Sequence, residues 1–363
     1  MPELHAEAAM YQLRAASRSR TADRQVIQLD HLRALLCVTR MSASPWTSPA
    51  LVSSTERPVS CRVAPLVASA VIIEVALNGA TSKQQNPHVP RSPAEIAEDG
   101  RRCLEAGAAI VHTHVDEFAV DPTRAAERYE EGWRPILDTH PAALLYPTIG
   151  FGDSFAERYA HHELLADRGL LRIGLLDPGS VNLGAAGDDG LPGPVEFVYV
   201  NTYADVRHAV EICARRRLGP SISIFEPGFL RTTLVYHRAG RLPPGALIKL
   251  YFGGDASYLG GRGGVTFGLP PTRPSLEAYL AMLEGCDLPW AVAVLGGDVI
   301  GCGLARLALE RGGHLRVGLE DHAGAHRPTN EQLVREATEL AASVGRSVAT
   351  CTDAARILGL PGC

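Results

Sequence analysis

Lysine is almost missing from this 363-residue sequence: of 35 basic residues only Lys83 and Lys249 are lysines. Schiff-base or carbamylated-lysine chemistry therefore has few candidates. No C-x-x-C pair occurs among the eight cysteines (Cys37, Cys61, Cys103, Cys213, Cys286, Cys302, Cys351, Cys363). Scattered thiols in a chain of this length point to a reducing, cytoplasmic compartment and not to a disulfide frame. No apolar run reaches the roughly 18–20 residues that a bilayer crossing needs. The longest candidate, residues 63–77, is interrupted by Pro65 and Glu74, so an integral membrane protein is excluded. A basic excess is lacking too: the net charge is −5, which argues against a nucleic-acid partner.

What is present is globular, with 46% hydrophobic and 21% charged residues. Residues 1–70 stand apart. They hold eight arginines against five acids, crowd Ser, Thr and Pro over residues 42–58, and show no strand–helix alternation. Without a charged segment followed by an unbroken apolar stretch they make a poor secretory signal. The expectation is an irregular or disordered extension over 1–70, preceding a catalytic domain over 71–363.

From residue 71 a rhythm begins. Apolar runs at 71–77, 109–114, 143–148, 171–176, 221–225, 246–252, 290–295 and 314–318 alternate with helical patterns at 93–106, 122–138, 155–168, 203–216, 275–284, 299–310 and 329–344. Runs apolar on both faces suit parallel strands buried under helices. Eight such units imply an α/β protein of the (β/α)8 TIM-barrel class. A doubly wound sheet would announce G-x-G-x-x-G after its first strand, but that strand ends Asn78-Gly79-Ala80-Thr81. The glycines from Gly253 to Gly264 are followed by no G-K-[ST], so a phosphate-binding P-loop is unsupported.

In such a barrel the reactive groups sit at the C-terminal strand ends. The second strand finishes Val111-His112-Thr113-His114. Residues two apart share a face, so His112 and His114 project together into the barrel mouth as a pair of metal ligands. The eighth finishes Arg316-Val317-Gly318-Leu319-Glu320-Asp321-His322. Closure sets the eighth strand beside the first and the first beside the second, which brings Glu320 within reach as a third ligand. Two histidines and a carboxylate with open positions make a catalytic zinc set. A plainer reading stands beside it: strand-end histidines in ordinary hydrogen bonds, and Glu320 with Asp321 as solvated acids at a helix entry.

Three stretches together carry a family resemblance: Asn78-Gly79-Ala80; Pro93-Ala94-Glu95-Ile96-Ala97-Glu98 leading to Glu105-Ala106-Gly107-Ala108-Ala109-Ile110-Val111-His112-Thr113-His114; and Arg316-Val317-Gly318-Leu319-Glu320-Asp321. Over about residues 71–361 the chain resembles the beta-keto acid cleavage enzymes, as a divergent member. The resemblance implies a zinc-dependent barrel, commonly a homotetramer, that reacts a beta-keto acid with acetyl-CoA to give acetoacetate and an acyl-CoA. By motif, His112, His114 and Glu320 match the zinc ligands, Asp321 the general base, and Arg316 the arginine that positions it. The implied substrate-binding positions are Thr81, Thr148, Gly150 and Ser223. At Thr81 and Ser223 the family's namesake, which acts on an amine-bearing substrate, has acids. The motif S-T-G-G is here Pro147-Thr148-Ile149-Gly150, and the asparagine after the Glu-Asp pair is His322. The metal set is retained and the substrate pocket rebuilt. Two other classes fit H-x-H in a barrel: an amidohydrolase-type hydrolase, and a barrel that binds metal or keto acid without turnover.

Overall fold

The computed structural model describes residues 70–116, 121–187, 189–193, 198–256, 263–324 and 326–362. The expected extension, save Ala70, and residues 257–262 of the glycine-rich stretch lie outside the described residues.

Eight parallel strands form one sheet: β1 (Ile73–Ala76), β2 (Ile110–Thr113), β3 (Leu144–Pro147), β4 (Ile173–Leu176), β7 (Gly219–Ile224), β8 (Leu247–Gly253), β9 (Trp290–Leu295) and β10 (His314–Val317). Between β4 and β7 the short strands β5 (Val181–Asn182) and β6 (Val198–Tyr199) pair antiparallel, apart from the main sheet. The strand order is β3-β2-β1-β10-β9-β8-β7-β4. It places the last barrel strand beside the first, as the closure argument requires. The two end strands, β3 and β4, adjoin, yet among the described residues no backbone register pairs them. The (β/α)8 barrel is thus nearly closed, with one unladdered seam.

Several of the helices have starts written in the sequence. Ser92, Ser154, Thr202, Thr329 and Thr350 each accept a bond from the third helical N–H, while Glu95, Glu157, Asp205, Gln332 and Asp353 reach back to the cap. Two helical expectations are corrected. The pattern at 299–310 is helical only over Leu304–Glu310, because Gly303 adopts φ +82° at the N-cap. A helix absent from the sequence reading spans Pro227–Arg238. Its opening Glu226-Pro227-Gly228 resembles a turn, although proline is well suited to a first helical position.

The side chains inside the barrel depart from the usual branched apolar filling. Glu74 of β1 lies in register with Arg316 of β10, Ser223 of β7 with Lys249 of β8, and His112 of β2 with Tyr146 of β3. All six are buried. Packing against the helices falls to the alternate residues, among them Ile73, Val75, Val111 and Leu145. The polar groups are therefore gathered in the lumen. No helix among the described residues is long and apolar enough to cross a membrane, and the described Cys103, Cys213, Cys286, Cys302 and Cys351 are free thiols.

Candidate metal centre

His112 and His114 leave the end of β2 on one face, their rings 5.1 Å apart and nearly perpendicular. Asn78, at the end of β1, fixes the second of them. Its carboxamide oxygen accepts from the His114 N–H, and its amide donates to the carbonyls of His114 and Pro90. Below, Trp133 Nε1 donates to the Thr113 hydroxyl, holding the intervening residue outward.

Glu320 reaches the pair through two glycines. Gly318 turns the chain at φ +130°, where a Cβ would lie 2.1 Å from the Ala76 carbonyl, so only glycine fits. The Glu320 N–H then donates to that carbonyl, and the Asp321 N–H donates to the Gly318 carbonyl. A Cβ on Gly79 would meet Glu320 Cγ at 2.3 Å; its absence leaves room for the carboxylate. Asn330 completes the clamp by accepting from Leu319 N–H and donating to the Leu77 carbonyl.

The result is a three-ligand cluster. Glu320 Oε2 lies 3.2 Å from His112 Nε2, and Oε1 lies 3.2 Å from His114 Nε2. One ligand atom from each residue falls within 4.8 Å of the others. His112 Nδ1 sits 3.2 Å from the Tyr146 carbonyl, so that nitrogen carries the proton and Nε2 turns its lone pair to the cluster. Burial pushes the His112 pKa down to about 4, despite Glu320, which keeps the ring neutral. Burial also pushes Glu320 up, but the attraction of His114 and His112 in their protonated forms and of Arg316 outweighs it and holds the carboxyl well below the usual range. With the imidazoles neutral, their Nε2 lone pairs converge on the carboxylate; among the described residues His114 Nε2 is buried with no hydrogen-bond partner, and Glu320 Oε2 has Arg316 Nη2 as its one cationic neighbour. A buried imidazole lone pair facing a carboxylate is costly unless a cation lies between them. Ligands about 2.0–2.2 Å from a tetrahedral ion sit roughly 3.3–3.6 Å apart, and each imidazole lies near that distance from one carboxylate oxygen. The donor set fits a divalent metal.

Beside the cluster, Arg316 grips Asp321 through two bonds, Nε to Oδ2 at 2.7 Å and Nη2 to Oδ1 at 3.2 Å. Burial raises the Asp321 pKa against the pull of Arg316. The Arg316 Nη2 also lies 3.2 Å from Glu320 Oε2.

The expected substrate positions are less uniform. The Thr81 hydroxyl donates to the Leu319 carbonyl at 2.6 Å, and the Gly150 N–H donates to the Arg158 carbonyl at 2.8 Å. Both groups are thus engaged within the fold. Thr148 stands half-buried at the end of β3, its carbonyl 2.8 Å from His161 Nε2. Ser223 is buried against Asp177, which also accepts from the Tyr199 hydroxyl. Glu74, Tyr146 and Asn330 join the site without any motif that marks them in the sequence. The signal for Glu74 was there: a lone acid in an apolar strand.

Residues 70–360 match the family model described as beta-keto acid cleavage enzyme. The chain is 29% identical over 297 residues to 3-keto-5-aminohexanoate cleavage enzyme of Fusobacterium nucleatum, covering 80% of this chain and 98% of that one. It is equally, 29%, identical over 299 residues to 3-oxoadipate:acetyl-CoA acetyltransferase of Cupriavidus necator, covering 80% and 95%. Among solved structures, the apo structure of ObcA superposes with a TM-score of 0.57 at 18% identity, over 76% of this chain and 66% of that one, just under two thirds of it. At that identity the likeness speaks to the fold alone.

Proposed function

The chain belongs to the beta-keto acid cleavage enzyme family, and from that premise we infer that it combines a beta-keto acid with acetyl-CoA to give acetoacetate and an acyl-CoA, with zinc held by His112, His114 and Glu320. The observation that carries this reading is the convergence of those three side chains, with the buried His114 Nε2 lacking a hydrogen-bond partner among the described residues, beside the Arg316–Asp321 pair. A bound zinc supplies Lewis-acid polarisation of the keto carbonyl. In this reading Asp321 takes the acidic proton from the carbon between the two carbonyls. A raised pKa suits a base working near neutrality. The two Arg316 bonds fix the direction in which its carboxylate points.

The metal assignment is tested by elemental analysis of the purified protein. About one divalent ion per chain is expected, zinc being favoured by the nitrogen and carboxylate donors. The double variant His112→Ala, His114→Ala should lose it. Stoichiometric metal persisting in that variant would remove the basis of the site.

Substrate choice rests on the rebuilt pocket. Relatives named for an amino-substituted and for a dicarboxylic keto acid are equally identical to this chain, so overall identity does not select between them. Thr81 and Ser223 carry no charge, and burial raises the Asp177 pKa, which weakens it as a partner for an ammonium group. Neutral or anionic beta-keto acids are therefore the expected substrates. Acetoacetate formation from acetyl-CoA is measured over a panel that includes 3-oxoadipate and 3-keto-5-aminohexanoate. Preference for the amino acid overturns the specificity. Inactivity over the whole panel with metal bound favours the hydrolase or the binding barrel.

A further inference from the structure

Resting on that reading but going beyond it, we propose that Glu74, on the floor of the lumen, is a positioning residue that acts on the reaction through Arg316. Its Oε1 gathers three donors: Arg316 Nη1 at 2.6 Å, the Tyr146 hydroxyl, and Lys249 Nζ at 3.4 Å. Lys249 in turn donates to the Tyr146 oxygen at 2.7 Å, and Arg316 Nη1 reaches the same oxygen at 3.1 Å. All four side chains are at least 98% buried, so water competes for none of these bonds.

A guanidinium has five N–H donors in one rigid plane. Arg316 uses two edges of that plane for different work. Nη1 is held by Glu74 and Tyr146 below; Nε and Nη2 face Asp321 above. Because the plane is rigid, fixing the lower edge fixes the upper one, and with it the orientation of the Asp321 carboxylate. Glu74 is ionised while it does so: burial pushes its pKa up, but Lys249 and Arg316 more than reverse this and lower it to about 2. Charge balance alone would need no such geometry. Lys249 lies 3.4 Å away and leans over the Tyr146 ring, whereas Arg316 makes the close directed contact.

The test is a double-mutant cycle with Glu74→Gln, which keeps an acceptor and removes the charge. In the parent background kcat for keto-acid cleavage should fall at least ~10-fold, with KM changed by less than ~3-fold and metal content unchanged. In an Asp321→Asn background the same substitution should cost less than ~2-fold, because the group it positions is already gone. Equal losses in both backgrounds, or full activity in the single variant, overturn the proposal. Should the glutamine variant be insoluble, Glu74→Asp, whose carboxylate is withdrawn by one methylene, goes through the same cycle.

A second readout needs no activity and separates this idea from the assigned reaction. A crystal structure of the variant should show the Arg316–Asp321 pair broken or turned. An intact two-bond pair refutes the positioning role, even if the parent protein proves to act on no keto acid.

Discussion

Asp321→Asn is expected to keep its metal and to lose at least ~10²-fold in kcat, the scale on which a general base contributes. Asparagine has the shape of the aspartate but cannot accept the proton. Its amide also cannot receive both Arg316 donors, because one of its two polar atoms is itself a donor. The neighbouring Glu320→Gln should behave differently. Glu320 faces both imidazoles at 3.2 Å, so loss of its charge weakens the metal first and activity only in consequence. Elemental analysis alongside steady-state kinetics separates the two. Full activity in Asp321→Asn removes it from the mechanism, and unchanged metal in Glu320→Gln removes that residue from the ligand set.

A large fall in stability is expected on acidification from pH 7 to 5, at sites away from the chemistry. Burial lowers the pKa of His161 to about 4, against its bond to Thr148, and that of His314 to about 3, with Arg346 adding to the effect. His314 has a structural reason to stay neutral: its Nδ1 accepts from the Ile72 N–H at 3.0 Å. Below the ordinary value near 6.5 the unfolded chain takes up protons that the folded one refuses, so stability is complete above that value and drains away as pH falls. Each histidine costs about 2 kcal/mol at pH 5. Asp99 works the other way, since burial raises it to about 6, and returns about 1 kcal/mol. The remainder is a large part of the 5–15 kcal/mol typical of folded domains. Melting temperatures across this range should fall steeply. His314→Asn, which keeps an acceptor but does not titrate, should flatten the slope. A melting temperature independent of pH would refute the argument.

The parts of the site legible in the sequence were those that obey a short period. His112 and His114 share a face because strand residues alternate, and their nearness to Glu320 follows once the last barrel strand lies beside the first. What stayed hidden depends on partners far along the chain. Glu74 reads as an interruption of an apolar run until Arg316, 242 residues later, is set beside it. The Thr81 hydroxyl and the Gly150 N–H look available for ligand until the Leu319 and Arg158 carbonyls claim them. The helix Pro227–Arg238 was missed because its first residues also spell a turn. Local rules give the strands and their faces; which polar groups are already engaged is a property of the assembled barrel.

The unladdered seam between β3 and β4 has an evolutionary consequence. The candidate ligands come from β2 and its end and from the turn after β10, and these strands are stitched together through β1 by continuous backbone registers. The residues that differ most from the namesake's pattern at β3, Pro147 to Gly150, and the Asp177–Tyr199 contact beyond β4 border the gap. Insertions or exchanges there disturb no ladder between the two strands. Changes on either side of the seam can therefore accumulate without breaking the registers that join β10, β1 and β2 and bring the candidate ligands together.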